Sequence, residues 1–261
     1  AASRHLPHRT SPNAACAFQR PSRAAAMAAM TRAARRDVLA ATPLFHPLNP
    51  DELDALADLA AERPVPRDGM VVRRGEAGGS LLVLVHGRLR VSSMSAEGRE
   101  VTINLLEPGA VLGEISLLDG QPRSMDVVAM TDSMLLRVER AAFLPFLRTR
   151  PDLMLRLMAL VCDRLRRASA AYEDLALLPL PARLARLLLA MADQHGVAAP
   201  GGVRIRLRFS QRDLAAQVAA TRERVNKQLR QWHEAGVLGE HEGQLVLRRP
   251  AALRALVEAP G

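Results

Sequence analysis

Aromatic residues, cysteine and lysine are all scarce in this chain of 261 residues, and each shortage narrows the class of protein. Phe, Trp and Tyr supply 3% of the residues, so Leu, Val, Ala and Met must fill the cores. The two cysteines, Cys16 and Cys162, do not have the spacing of metal ligands. No apolar run is long enough to cross a bilayer. We therefore expect a soluble globular protein of the reducing cytoplasm, with no metal site and no membrane as partner.

Basic residues cluster at the start of the chain. The net charge is +9, and residues 1–36 hold seven arginines with no Asp or Glu, which leaves little excess charge for the remainder. This acid-free composition, rich in Ala, Pro and Ser, predicts a disordered basic tail over residues 1–36. Met27 and Met30 leave open that the residues before them stem from an over-extended translation start. The total charge is therefore weak evidence for nucleic acid as a partner.

Composition and periodicity divide the rest of the chain into segments. Between residues 65 and 140, glycines separate short apolar runs, which is typical of a β-sandwich or barrel. Helical periodicity takes over near residue 151, and two closely spaced prolines interrupt it. The expected segments are a β-barrel domain (37–150), a long helix (151–178), a hinge (179–182) and a C-terminal domain (183–250).

The long helix has an apolar stripe at alternating spacings of four and three residues. Such a heptad pattern predicts that the helix packs against a second helix, and a two-stranded homodimer is favoured over packing on its own barrel. Charged residues, among them Arg156, Asp163, Arg164 and Arg167, lie off the stripe. The predicted interface residues are Met154, Met158, Val161, Leu165, Ala168, Tyr172 and Leu175.

The C-terminal segment has the pattern of a winged helix-turn-helix. Ser210 is placed to cap a helix whose third residue is Asp213, and Thr221 is placed to cap the next helix. An amphipathic strand is expected over residues 203–209, and Glu242-Gly243 predicts the turn of a small hairpin after the second helix. Ala219 stands in the turn between the two helices, where a left-handed backbone conformation is unfavourable for a residue other than glycine.

The segment Gly113–Ser124 combines an acceptor, a guanidinium and a hydroxyl around a turn. Gly113 permits close approach of the backbone, Arg123 offers a fork to phosphate oxygens, and Glu114 can accept from a ribose hydroxyl. The alternative is an ordinary turn with a surface arginine. We call these twelve residues the cassette, and they predict a site for a small anionic nucleotide.

The order of cassette, heptad helix, hinge and helix-turn-helix resembles the CRP/FNR family of bacterial transcription regulators over about residues 42–250. The resemblance implies an α+β fold, with a cyclic-nucleotide-binding-type β-barrel of jelly-roll form, a long dimerisation helix and a C-terminal winged helix-turn-helix. In the cyclic-AMP branch of that family the matching positions bind ribose (Glu114) and phosphate (Arg123, Ser124). Met125 replaces a small residue, and the pair Ala168-Ser169 offers one of two expected base-binding hydroxyls. The implied effector site is Gly113, Glu114, Arg123, Ser124, Met125 and Ser169.

The resemblance also implies that the second helix of the helix-turn-helix reads base pairs. Arg can bind guanine, Glu can accept from cytosine, and Lys can reach guanine or phosphate. Lys227 is the only lysine in the chain. The expected DNA-binding residues are Ser210, Gln211, Thr221, Arg222, Glu223, Arg224 and Lys227.

Together these patterns predict a DNA-binding transcription regulator that is controlled by cyclic AMP or a related effector. Its expected partners are a near-palindromic duplex, a second copy of the chain and RNA polymerase. An alternative within the same family is a regulator whose pocket no longer binds cyclic nucleotides. We find no catalytic constellation, so an enzyme is not expected.

Overall fold

The computed structural model describes residues 29–94, 100–206 and 210–258. Its N-terminal unit is a β-sandwich flanked by helices, and its C-terminal unit is a smaller mixed domain. The N-terminal strands are β1 (Ala60–Val65), β2 (Met70–Val72), β3 (Ser80–His86), β4 (Leu89–Met94), β5 (Glu100–Leu106), β6 (Val111–Leu112), β7 (Asp126–Ala129) and β8 (Ser133–Glu139). The helices of this unit are α1 (Arg32–Ala41), α2 (Pro50–Leu59), α3 (Glu114–Asp119), α4 (Arg140–Arg148) and α5 (Pro151–Leu177).

Two antiparallel sheets of four strands face each other in the N-terminal unit, with strand orders β1-β8-β3-β6 and β2-β7-β4-β5. Along β3, Leu82 and Leu84 join the apolar cluster between the sheets, whereas Leu81 and Val83 join the cluster that the helices cover. Both faces of β3 are therefore buried, which explains its uninterrupted apolar run. The predicted β-barrel of jelly-roll form is confirmed.

Helix α5 leaves the sandwich after its first turns. Leu153 and Leu157 are fully buried against the sandwich, and further along the helix most side chains are exposed. With 27 residues, α5 is about 40 Å long. A short connection then leads into α6.

The C-terminal unit contains α6 (Leu180–His195), β9 (Gly196–Ala199), β10 (Gly202–Ile205), α7 (Gln211–Gln217), α8 (Arg222–Glu234), β11 (Leu238–His241), β12 (Gln244–Leu247) and α9 (Pro250–Glu258). The strands form one sheet in the order β11-β12-β10-β9. Leu184, Leu214, Val225 and Trp232 pack together beneath it. Glu242 and Gly243 both have positive φ (52° and 72°), as a two-residue hairpin turn requires. The predicted winged helix-turn-helix is confirmed.

The predicted end of the basic tail at residue 36 is wrong, because α1 begins at Arg32 and is capped by Thr31. Arg32 lies 2.7 Å from a carboxylate oxygen of Asp58, and Arg35 lies 3.6 Å from one of Glu62. The acidic partners come from α2 and β1, so local composition gave no sign of them. Residues 1–28 lie outside the described residues.

Three further boundaries differ from the expectation. The predicted hinge (179–182) is shorter, because α6 already begins at Leu180. The C-terminal domain does not end at residue 250, because α9 follows and its Leu253 is buried in the domain core. The strand expected over residues 203–209 runs from Gly202 to Ile205, and residues 207–209 lie outside the described part of the chain. The left-handed conformation considered for Ala219 is present, with φ 49°.

Candidate functional site

Arg123 is a buried cation at the heart of the cassette, with 6% of its surface exposed. Its Nη2 donates to the carbonyl oxygen (2.8 Å) and the hydroxyl (3.1 Å) of Ser80, and its Nη1 donates to the carbonyl of Gly113 at 3.3 Å. Within the described residues no carboxylate forms an ion pair with it, and its Nε is buried without a hydrogen-bond partner. Burial of a charge without a counter-ion is unfavourable, so this site favours an anion.

Burial is the main cause that lowers the pKa of Arg123, and the nearby charges only partly oppose it. Glu76 and Glu114 raise the pKa, whereas Arg137 and Arg63 lower it. The guanidinium stays protonated at physiological pH, because an arginine pKa lies far above 7. Arg123 is therefore a permanent positive charge that the surrounding carboxylates do not neutralise by contact.

Glu114 lies beside Arg123 at the start of α3 and is 1% exposed. Arg164 of α5 donates from Nη1 to Glu114 Oε1 and from Nη2 to the carbonyl of Val111. The second carboxylate oxygen, Oε2, is buried without a hydrogen-bond partner in the described structure. A buried acceptor of this kind suits a hydroxyl donor.

Gly113 is required by the position of Arg123. Its φ is 88°, a left-handed conformation that is unfavourable for residues other than glycine. A Cβ at this position would lie 2.1 Å from Arg123 Nη1 and 2.7 Å from the Ser80 carbonyl oxygen. Any other residue would therefore displace the guanidinium from the cassette.

The remaining predicted effector residues are less closely gathered. Ser124 is exposed and Met125 half-buried, both on the bend that precedes β7. Ser169 is exposed on α5, and it is turned by about 140° around the helix from Arg164, which contacts the cassette. One chain by itself therefore does not direct Ser169 toward its own Glu114.

Arg164 is a site residue that the sequence did not reveal, since it appeared there only as a charged position off the heptad stripe; Ser80, which accepts from Arg123, is another. Its side chain is 30% exposed and links α5 directly to the cassette. The sequence offered one signal, that Arg164 lies on a helix already associated with the effector. Its position five residues before Ser169 turns it away from that predicted contact residue, so the helix face of Ser169 could not indicate it.

The predicted dimer stripe lies on the open side of α5. Leu165 is 67% exposed, Tyr172 74% and Met158 54%, and Val161 is half-buried. Met154, Ala168 and Leu175 are exposed as well. The stripe therefore does not pack on its own barrel, because Leu153 and Leu157 form the face that does.

The helix-turn-helix presents its predicted reading residues to solvent. Arg222, Glu223, Arg224 and Lys227 are exposed on the first turns of α8. The hydroxyl of Thr221 accepts from the backbone N–H of Arg224 at 3.3 Å and so caps this helix. The start of α8 therefore forms a polar, exposed end that fits the major groove of a duplex.

The first helix of the pair is fixed by a capping box. Ser210 Oγ accepts from the N–H of Asp213 (3.1 Å), and Asp213 Oδ2 accepts from the N–H of Ser210 (3.0 Å). Gln211, the other predicted contact residue, is half-buried at the first position of α7. Ser210 is exposed, so its hydroxyl caps the helix while its surface stays accessible.

Glu223 has a pKa below the usual value of a glutamate. Hydrogen bonds from its own backbone N–H and from the Thr221 hydroxyl lower the pKa, with a smaller contribution from the charge of Arg222. Its carboxylate is thus ionised at neutral pH and can accept from a base. This protonation state matches the predicted role.

The two units contact each other in this structure. Helix α7 packs against β5, and Arg90 Nη1 of β4 lies 3.8 Å from Asp213 Oδ1. A second polar contact joins His195 Nδ1 to Glu107 Oε2 at 3.7 Å. The side of α7 that carries the capping box therefore lies near the sandwich.

Neither a metal cluster nor a membrane-spanning helix is present among the described residues. No three or more of their His, Cys, Asp or Glu side chains form a group suited to a metal ion. Likewise, none of the helices in this part of the chain is long and apolar enough to cross a membrane.

Comparison with known proteins agrees with this geometry. Residues 62–150 match the model of the cyclic nucleotide-binding domain, and residues 182–256 match that of the Crp-like helix-turn-helix domain. The Cyclic AMP receptor protein of Thermus thermophilus is 32% identical over 212 residues, which cover 81% of this chain and 95% of that protein. The CRP-like cAMP-activated global transcriptional regulator of Mycobacterium tuberculosis is 28% identical over 211 residues, 81% of this chain and 94% of that protein.

Among solved structures, FixK2 from Bradyrhizobium japonicum superposes with a TM-score of 0.67 at 26% identity, and the match covers 77% of this chain and 99% of that one. The chain belongs to the CRP/FNR family of transcription regulators. Homodimers and allosteric control are typical of this family.

Proposed function

We propose that this regulator binds DNA sequence-specifically and that an anionic, cyclic-nucleotide-like effector in the barrel controls it. The observation that carries the proposal is the buried Arg123, which pairs with no carboxylate among the described residues and lies beside Glu114 Oε2, which has no hydrogen-bond partner among them either. The same chain carries a capped and exposed reading helix. A cation and a free acceptor side by side suit a sugar–phosphate.

Cyclic AMP is the proposed effector, and a related cyclic nucleotide is the alternative effector. Arg123 binds the cyclic phosphate together with Ser124, and Glu114 Oε2 accepts from the ribose hydroxyl. The relatives from Thermus and Mycobacterium are named for cyclic AMP, which supports this choice. Ser169 and Met125 then border the base. Because Ser169 faces away from its own cassette, it is better placed to serve a site that includes a second chain.

The proposed active form is a homodimer on a near-palindromic duplex. The exposed stripe of α5 supplies the dimer contact, and two α8 helices enter successive major grooves about 34 Å apart. Arg222 and Lys227 bind guanine, and Glu223 accepts from cytosine. RNA polymerase is the further partner that transcription requires, and the cytoplasm is the compartment where these partners meet.

Effector control is a population shift between arrangements of the two units. Arg164 joins Glu114 to α5, so a ligand that bonds Glu114 changes the contact between cassette and helix. Helix α5 ends at the connection to α6, through which the change reaches the helix-turn-helix.

A footprinting experiment on the promoters of the organism that supplies the sequence tests the DNA-binding proposal. We expect protection of a near-palindromic site that strengthens with cyclic AMP or cyclic GMP, and loss of sequence preference in Arg222→Ala. Arg254→Ala, on α9 away from the reading helix, is the matched control. If no site is protected with or without either nucleotide, the proposal is wrong.

The second candidate is a DNA-binding regulator whose pocket does not bind cyclic nucleotides. Two observations favour it: Arg164 already bonds Glu114 Oε1, and the half-buried Met125 stands where a small residue is expected. Calorimetry separates the two candidates, because this one gives no heat with any cyclic nucleotide.

A further inference from the structure

The outer face of the paired strands β4 and β5 is the part of the sandwich that meets the C-terminal unit. Val91 packs against the apolar cluster between the two sheets, so its neighbours Arg90 and Ser92 point to the opposite side of β4. Thr102 of β5 is directly opposite Ser92 in the register and therefore lies on the same outer face. Ser92 and Thr102 are nevertheless buried, and α7 packs against β5. Helix α7 therefore covers this outer face.

The contact between α7 and this face is polar on both sides. Asp213 and Gln217 are four residues apart on α7, so they share one side of the helix, and Asp213 Oδ1 lies 3.8 Å from Arg90 Nη1. Thr102 Oγ1 and Gln217 Nε2 are buried without a hydrogen-bond partner among the described residues. A polar group that is buried and unpaired destabilises the arrangement that buries it. The contact is therefore weak, because separation of the two units returns both groups to water.

A second polar contact between the units lies at the end of the same pair of strands. Glu107 directly follows β5, and its carboxylate lies between two basic side chains: Arg88 Nε is 3.7 Å from Oε1, and His195 Nδ1 is 3.7 Å from Oε2. Arg88 belongs to the sandwich, whereas His195 is the last residue of α6. Of these two contacts, the one with His195 therefore joins the two units.

The charge of His195 sets the strength of this second contact. Histidine gains its charge between about pH 8 and pH 5, a range in which carboxylates and guanidiniums keep theirs. Glu107 attracts a protonated imidazole, and Arg88 repels it. Asp193 lies on the other side of α6, and Arg206, whose backbone N–H donates to the His195 carbonyl at 3.1 Å, has an exposed side chain. Since Glu107 is the charged group in contact with the imidazole, protonation of His195 strengthens the contact.

We propose that the contact of α6 and α7 with the sandwich is a proton-sensitive latch, which closes when His195 is protonated and loosens when the proton is lost. The docked arrangement gains this attraction toward pH 5 and loses it toward pH 8. An ion pair of partly exposed groups changes the ratio of docked to separated molecules by up to about fivefold. A change of this size matters because the rest of the contact is weak. The latch goes beyond the proposed function, since it needs neither DNA nor an effector, and only its effect on DNA binding rests on that function.

The labelling rate of a thiol beneath α7 measures how often the latch opens. Ser92→Cys places this thiol on the covered face with little change of shape, in the full chain with Cys16→Ser and Cys162→Ser. Rates with a dipyridyl disulfide are compared between variants at the same pH, so that the ionisation of the thiol cancels. Arg90→Ala should raise the rate, because it removes the contact with Asp213. Thr102→Cys provides a second reporter on the neighbouring strand and should give the same results.

The expected results depend on pH. At pH 6, His195→Gln and Glu107→Gln should each label about two- to fivefold faster than the parent reporter, and at pH 8.5 all three should label alike. His195→Arg keeps its charge and should label slowly at both pH values. His241→Gln is the matched control, since His241 lies on β11, at the opposite edge of the sheet from β9, which follows His195. This control should follow the parent reporter.

Two results would overturn the proposal. Equal rates of the parent, His195→Gln and Glu107→Gln at pH 6 would show that the proton on His195 does not hold the units together. An unchanged rate in Arg90→Ala with both reporters would show that α7 does not cover this face. Both measurements are made without DNA or effector, so a failure of the proposed function in footprinting or calorimetry would leave them unaffected.

Discussion

Replacement of Arg123 by glutamine tests the effector pocket most directly. Three hydrogen bonds hold the guanidinium to Ser80 and Gly113, and two of its five N–H donors remain free for a ligand. A hydrogen bond to a charged group contributes about 1.5 to 3 kcal/mol. The net loss of one such bond therefore weakens cyclic AMP binding about 10- to 150-fold, and the loss of both weakens it more.

Isothermal titration calorimetry of the purified protein measures this effect. Arg137→Gln is the matched control: Arg137 influences the electrostatics of Arg123 but pairs with Glu139 at 2.9 Å and is 43% exposed. We expect it to change the affinity by less than about threefold, since solvent screens its charge. The melting temperature of each variant shows whether it is folded.

Two outcomes would refute this reasoning in different ways. Equal affinity of wild type and Arg123→Gln for cyclic AMP would show that Arg123 does not hold the anion. The absence of heat with cyclic AMP and cyclic GMP in the wild type would instead favour the candidate with an altered pocket. In that case footprinting still decides whether the protein binds DNA.

Three further predictions concern the cap, the dimer and the contact between the units. Ser210→Ala removes the capping box of α7 and should lower the free energy of unfolding by about 0.5–2 kcal/mol in denaturant titrations; an unchanged midpoint would contradict this. Leu165→Asp should convert a dimer to a monomer in sedimentation equilibrium, whereas Leu177→Asp, exposed but off the stripe, should not. Arg90→Ala removes the ion pair with Asp213, which is worth up to about 1 kcal/mol. If the contact between α7 and the sandwich opposes DNA binding, this variant should raise the DNA affinity of the effector-free protein at most about fivefold. A lower DNA affinity would show that the contact does not oppose DNA binding.

Local patterns were sufficient to predict most of the fold. The capping signals at Ser210 and Thr221 depend on residues three positions apart, so the helix starts could be predicted and are confirmed. The heptad stripe likewise predicted a helix face that does not pack on its own barrel. Boundaries were less predictable, because α1 depends on carboxylates of α2 and β1, and α9 on a core assembled from the whole domain.

The sequence by itself determined the class of the protein, the order of its domains and the chemical types present in the cassette and in the reading helix. Periodicity, capping and turn signals depend on residues that are close in the sequence, so they can be recognised without the positions of distant residues. Only the tertiary structure showed that Arg123 is buried without an ion pair to any described residue, that Arg164 bonds Glu114, and that Arg183, Arg224 and Lys227 share one cleft. Each of these facts joins residues from separate elements, and burial and electrostatics depend on the neighbours that the fold supplies.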